Sequence, residues 1–355
     1  MIKLLHSADW HLDSPFTGQG DAASLRKALS TVPERIAELC RREGCQLLLL
    51  SGDIFDGTPN RNTVTSLCRT LEAVKIPVFI SPGNHDYAAS GSPWLTEVWP
   101  ENVHIFTKPT VSSVALPELN CRVYGGGFDA MDCPGLLKDF HAQQEEAYAI
   151  GVFHGDPTRV TSPCCPVTQQ QIRASSLHYL ALGHIHKAGR LTAGSTLCAW
   201  PGCPMGRGFD EQGEKGVLLV TVDTETNAEF IPLAYPRFFD LTVEPGEDPV
   251  SALEAVLPAV GSSDHYRVTF TGSAPPVDTF ALTKRFSRFP NLTLLDKTTP
   301  PADIWRTAGE DSLEGTFFKL LQDSMQQQSG QDREITLLAA QIVRQLLDGQ
   351  EVALP

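Results

Sequence analysis

The chain has 355 residues, 41% of them hydrophobic, nine cysteines and a formal net charge of −14. That size allows one large core with at least one smaller domain beside it. No run of about 18 apolar residues is present to span a bilayer, and an odd set of cysteines without a C-x-x-C pair argues against a disulfide framework. The acidity argues against a simple duplex-binding surface, which relies on basic patches.

Residues 2–6 form a short apolar run that predicts a strand starting almost at Met1, leaving no room for a signal peptide; with cysteines that read as buried thiols, the cytoplasm is the expected location. Asp9-Trp10-His11 follows it. Residues 23–42 have helical composition interrupted by Pro33, which predicts two short helices or a kink. A second apolar run, 47–51, leads into Gly52-Asp53, and residues 62–74 predict a helix with Val64, Leu67, Leu71 and Val74 on one face. The run 78–80 leads into Gly83-Asn84-His85-Asp86, the run 149–153 into His154-Gly155, and Gly183-His184-Ile185-His186 follows later. Gly and Pro flank these runs, as befits buried strands.

Together the five segments offer three Asp, one Asn and five His. Ligands at strand ends converge on one edge of a sheet, where open α/β sheets bind their ligands. Imidazole and carboxylate without thiolate suit manganese, iron or zinc in a site that keeps water, and argue against calcium or a closed structural zinc. A carboxylate such as Asp53 could bridge two ions about 3.5–4 Å apart and clamp a phosphoryl group. Each segment alone has a plainer reading: capping for Asp9 and His11, a turn for Asn84-His85, two unliganded rings on one strand face for His184 and His186. Their joint occurrence in this order points to phosphoester hydrolysis.

These segments resemble the five motifs of the calcineurin-like metallophosphoesterase superfamily. The run Ser7-Ala8-Asp9-Trp10-His11-Leu12-Asp13-Ser14-Pro15-Phe16 resembles, more narrowly, the SbcD and YhaO nucleases, bacterial counterparts of the meiotic recombination nuclease. The resemblance covers residues 1–235 through specific motifs and the rest through general layout. It implies an α/β fold in which a metallophosphoesterase β-sandwich is flanked by helices, with a small α/β cap and C-terminal helices. It also implies one divalent metal held by Asp9, His11, Asp53 and His186, and a second held by Asp53, Asn84, His154 and His184, with Asp53 bridging. His85 is then unliganded and faces the scissile phosphate, where an imidazolium would protonate the departing oxygen. Asp86 is a candidate to orient His85 or a neighbouring ligand, against a plain turn-capping role. Asp56 stands where archaeal and eukaryotic relatives generally carry a second histidine, and its part in chemistry is left open.

The nuclease domain is expected over residues 1–236. A strand, helix, strand, helix, strand module follows, with strands at 239–243, 266–271 and 291–295 and helices at 249–257 and 280–289. Its roughly sixty residues suit a small α/β cap over 237–300, which in the resembled nucleases helps position DNA, or else a structural appendage. A C-terminal helical segment fills 301–355, with Ile335, Leu338, Ile342 and Leu346 at helical spacing. Such a stripe packs on its own domain or, as the resemblance implies, grips the coiled-coil base of an SbcC-type ATPase. In the family the helices after the second and third motifs pair two protomers, which implies a homodimer.

The favoured reading is a manganese-dependent DNA exonuclease and endonuclease of double-strand break repair. Two metals and Arg26, Lys27, Arg159, Lys187, Arg190 and Arg207 would offset the acidity locally. The alternative is a phosphodiesterase or phosphatase for small nucleotides, which explains the acidity but has no need of the cap. A non-catalytic scaffold is disfavoured, because His85 and all seven expected ligands are present.

Overall fold

The computed structural model describes residues 1–17, 21–143, 145–299 and 303–349; the boundary expected at 300–301 and residues 350–355 of the C-terminal segment lie outside them. The chain divides into two compact units. One comprises Met1–Asp240, Gly261–Arg267 and Arg288–Thr293, and the other Leu241–Val260, Val268–Ser287 and the chain from Leu294.

The first unit is built from β1 (Ile2–Ser7), α1 (Ala22–Leu29), α2 (Val32–Glu43), β2 (Leu47–Leu50), α3 (Arg61–Val74), β3 (Val78–Ile80), α4 (Pro93–Thr96) and β4 (Val103–Ile105). It continues through β5 (Ser112–Leu116), β6 (Cys121–Gly126), β7 (Tyr148–His154), α5 (Gln169–Ala174), β8 (Tyr179–Gly183), β9 (Lys187–Ala193), β10 (Thr196–Gly202), β11 (Gly216–Val222) and β12 (Asn227–Pro232). These strands make two six-stranded sheets, ordered β12-β11-β1-β2-β3-β4 and β5-β6-β7-β8-β10-β9.

Alternation along the strands divides the core in three. Leu4, Leu47, Leu49 and Phe79 meet Val123, Ile150, Val152 and Ala181 between the sheets. Leu5, Leu48, Leu50 and Ile80 point the other way, onto Ile36, Leu67 and Leu71 of α2 and α3. Phe153, Leu180, Leu182 and Cys198 cover the far face of the second sheet with Ile172 of α5. Strands covered on both faces must be apolar throughout, which is why β2 reads Leu-Leu-Leu-Leu.

The helical stretch breaks into α1 and α2 at Ser30 and Thr31, since Pro33 in an unbroken helix would drive its ring into the carbonyl of Leu29. His6 lies fully buried between the sheets, with Nδ1 2.8 Å from the Tyr179 hydroxyl and Nε2 2.6 Å from the Ser51 hydroxyl. All nine cysteines are free thiols, eight of them buried. No helix among the described residues is long and apolar enough to cross a membrane.

After Arg237 come β13 (Phe238–Val243), α6 (Pro249–Val256), β14 (His265–Phe270), α7 (Thr279–Arg285) and β15 (Leu292–Asp296), the strands forming a sheet ordered β13-β14-β15. The helix expected over 280–289 stops at Arg285. Phe286 leaves helical geometry as the C-cap, and Pro290 disfavours helix at Phe289.

Two helices close the described chain, α8 (Leu313–Gln327) and α9 (Gln331–Leu347). The expected stripe on α9 is not the packed face: Ile335, Leu338 and Leu346 are 57%, 38% and 61% exposed, while Ala340 and Arg344 are buried. Arg344 donates to Glu314 at 2.5 Å, to the Thr307 hydroxyl at 2.6 Å and to the Ile304 carbonyl, and its guanidinium lies 4.0 Å from the Phe318 ring centre.

Candidate metal centre

In the first sheet β1, β2 and β3 run parallel, and so do β7 and β8 in the second. Parallel strands deliver their C-terminal ends to one edge. Asp9 and His11 follow β1, Asp53 follows β2, Asn84 and His85 follow β3, His154 ends β7, and His184 and His186 lie in the turn from β8 to β9. The first two loops run side by side, the amides of Asp9 and His11 donating to the carbonyls of Gly52 and Asp53 at 3.0 and 2.9 Å.

Two glycines let the loops meet. At Gly52, with φ +91°, a Cβ would fall 2.3 Å from Nδ1 of His154, and at Gly183 it would fall 1.8 Å from the Ser51 carbonyl oxygen. Asp9, His11, Asp53 and His184 themselves adopt φ of 53°, 49°, 50° and 92°, left-handed backbone that residues with a Cβ seldom take.

All seven predicted ligands come together. Oδ2 of Asp53 lies 3.8 Å from Nε2 of His11 and 3.5 Å from Nε2 of His154, the position of a shared carboxylate. Nε2 of His11 and Nε2 of His186 face each other at 3.3 Å, within reach of Asp9. Oδ1 of Asn84 lies 2.9 Å from Nε2 of His154 and 3.2 Å from Nδ1 of His184. Donors about 2.0–2.2 Å from an ion are themselves about 3–3.5 Å apart, so this spacing fits two adjoining cations.

The ring tautomers point the same way. Assigned from the network, the Nδ1–H of His154 donates to the Ser51 carbonyl at 3.0 Å, that of His11 faces Asp56 at 3.4 Å and that of His186 faces Glu211 at 2.7 Å. His154 and His11 are left with Nε2 lone pairs turned into the centre, while the burial of His186 is outweighed by Glu211, which raises its pKa, so that without a cation its Nε2 can share a proton with His11. Burial lowers the His11 pKa against the pull of Asp56 and Asp53, favouring the neutral, ligating ring.

His85 differs from the other four histidines. Its side chain is 45% exposed and its Nδ1 lies 3.1 Å from Oδ1 of Asp56, whose hydrogen bond raises the ring's pKa. The ring also comes within ligand distance of His11 and Asp53. With Nδ1 occupied by Asp56, Nε2 is the atom free to carry a proton outward.

The carboxylate that meets His85 is therefore that of Asp56, not Asp86. Asp86 turns inward, Oδ2 accepting from the Ile54 and Phe55 amides at 2.8 and 3.2 Å and Oδ1 from the Gly83 amide at 2.7 Å. It ties the loop bearing Asp53 to the loop bearing His85. Burial, followed by the charge of Asp53, pushes its carboxyl up to about 7.

Sequence reasoning missed Glu211 and Asp156. Glu211, 25 residues beyond His186, carried no local signal. Asp156 had one, lying two residues after His154 in the same loop; its Oδ2 comes 4.0 Å from Nε2 of His184. Of the six basic residues expected around the site, Arg207 sits in it, 3.9 Å from Asp56. Arg159 pairs with Asp156, while Arg26 and Arg190 donate to the backbone carbonyls of Pro15 and Ala228.

The sequence profile of the calcineurin-like phosphoesterases matches residues 2–188. The uncharacterized metallophosphoesterase YhaO of Bacillus subtilis strain 168 is 30% identical over 262 residues, which span 68% of this chain and 62% of YhaO. The SbcD component of the SbcCD nuclease from the same organism is 25% identical over 270 residues, 62% of this chain and 66% of that protein. The chain thus spans a little under two thirds of each of these relatives.

Proposed function

The chain belongs to the calcineurin-like phosphoesterase family and is a metal-dependent phosphoester hydrolase, and from that premise we propose that it cleaves the phosphodiester backbone of DNA as an exonuclease and endonuclease in double-strand break repair. The observation that carries the reading is the shared position of Asp53 between His11 and His154, with His85 exposed beside it. Asp9, His11, Asp53 and His186 would hold one divalent cation, and Asp53, Asn84, His154 and His184 the other. Oxygen and imidazole donors without thiolate suit manganese.

When bound, such a pair of cations activates water and neutralises charge on the phosphoryl group. His85 donates the proton on Nε2 to the departing oxygen, and Asp56 keeps that proton there by holding Nδ1. Asp86 fixes the two loops that set the distance between Asp53 and His85. A cavity of about 300 Å³ beside His85, lined by Thr58, Tyr87, Ser90 and Ser92, gives the departing group room.

DNA as substrate is supported by the run from Ser7 to Phe16, by the likeness to a component of the SbcCD nuclease and by the module after Arg237. The exposed Ile335, Leu338 and Leu346 on α9 supply an apolar face for the coiled coil of an SbcC-type ATPase. The apolar face of α3 is spent on its own core, so a homodimer would use Leu95 in α4 and Val98 just after it, both exposed. Free thiols suit the cytoplasm. The net charge of −14 favours the second reading, a phosphodiesterase or phosphatase for small nucleotides.

Manganese-dependent shortening of end-labelled linear duplex DNA, with a small diester in parallel, separates the two. Shortening by the wild type and not by His85→Ala is expected. Hydrolysis of the diester with DNA untouched, even when the ATPase is added, would overturn the nuclease reading.

A further inference from the structure

Glu211 and Arg207 lie outside the ligand-bearing loops, yet they are built into the centre. Glu211 is only 7% exposed. Its Oε1 takes His186 Nδ1 at 2.7 Å and the Arg207 Nη2 and Nε at 2.8 and 3.2 Å, while Oε2 accepts the Arg207 amide at 2.8 Å. Lys215, equally buried, donates to the carbonyl of His186 at 3.0 Å. His186 is thus gripped at both ring and backbone.

The grip extends further. Nη1 of Arg207 lies 3.9 Å from Oδ2 of Asp56, and Oδ1 of Asp56 faces the His11 ring at 3.4 Å. Glu211, Arg207 and Asp56 therefore form a chain of charges running from one imidazole, His186, to the other, His11, of the same trio with Asp9. Among the described residues the opposite side is held more loosely: Nε2 of His184 stands 4.0 Å from Asp156, which pairs with Arg159, against 2.7 Å between His186 and Glu211, and His154 leans on a backbone carbonyl.

We propose that Glu211 and Arg207 are positioning residues for the metal position formed by Asp9, His11 and His186, setting its affinity separately from that of the position formed by Asn84, His154 and His184. This rests on the ligand assignment above. Arg207 offsets the charge of Glu211, so what reaches the ion is chiefly a fixed ring with a more basic donor nitrogen. Removing the carboxylate charge would leave the guanidinium with only Asp56, 3.9 Å away, to balance it beside a cation site, which adds repulsion to lost orientation.

Manganese titration of the metal-free 355-residue protein tests this by calorimetry, with electron paramagnetic resonance to separate coupled pairs from single ions. The wild type should take up two ions. Glu211→Gln, which keeps size and hydrogen-bonding capacity, should weaken one of them by about 10- to 100-fold, leave the other unchanged and show single-ion spectra at intermediate manganese. Arg207→Gln should shift the affinity of the same ion and not of the other, and serves in place of Glu211→Gln if the latter does not fold. Wild-type affinity for both ions in the variants, or equal weakening of both together with a lower melting temperature, would overturn the inference while leaving the ligand assignment standing. A wild type that binds no pair of ions would overturn the ligand assignment, and the inference with it.

Discussion

Acid should unfold this protein in part through one histidine that never touches substrate. His6 is fully buried between the sheets, and burial lowers its pKa from 6.5 to about 3 against a weaker upward pull from the Leu182 backbone. An imidazole whose folded pKa lies below its unfolded one takes up a proton only on unfolding. Its contribution to stability is complete above about pH 6.5 and drains away as pH falls toward about 3. At about 1.4 kcal/mol per pH unit, this ring alone removes about 3 kcal/mol between pH 8 and pH 4. The partner of its Nε2 is Ser51, whose carbonyl fixes the ring of His154, so the loss undermines the centre from behind. Urea unfolding of the metal-free protein, followed by tryptophan fluorescence from pH 8 to pH 4, measures the effect against His6→Gln, which can still bond both hydroxyls but does not titrate. The stability difference between the two proteins should narrow or reverse by about 3 kcal/mol on acidification. Parallel curves would show that His6 is protonated in the folded protein or is not its acid-sensitive core group.

Asp86→Ala leaves three buried amides without an acceptor and should cost about 3 kcal/mol or more in urea unfolding; an unchanged midpoint would mean those amides find other partners. Gly52→Ala places a methyl on His154 and an L-residue at φ +91°, so the folded protein should lose manganese from the Asn84, His154 and His184 position, read by equilibrium dialysis. Ile335→Asp combined with Leu346→Asp alters exposed sites and should change stability by less than about 0.5 kcal/mol, yet abolish co-purification with a coiled-coil ATPase that the wild type retains; continued co-purification would remove α9 from the contact.

What the sequence made legible was local. Four of the five ligand segments follow a short apolar run, so strand ends and ligands could be read together there, while the strand before His184 went unread; Pro33 marked the division between α1 and α2. What stayed hidden depends on distance along the chain. Asp56 was visible as an acidic residue, but its pairing with His85 spans 29 residues, and the hold of Glu211 on His186 depends on how the chain after β10 returns. Between the roles open to Asp86, adjacency to His85 could not decide: its carboxylate caps three backbone amides and so holds the loop that carries Asp53. On α9 the apolar spacing was plain, but spacing cannot tell an inward face from an outward one when a buried arginine is satisfied by Glu314, Thr307 and Phe318.

Asp9, His11, Asp53 and His184 occupy left-handed backbone, where a side chain costs roughly 1 kcal/mol or more and glycine costs almost nothing. Glycine there would relax the backbone, but at Asp9 and Asp53 it would strip the carboxylates that accept the His184 and His85 amides, so strain and hydrogen bonding pull in opposite directions. Strained backbone is thus concentrated where the side chain reaches into the centre.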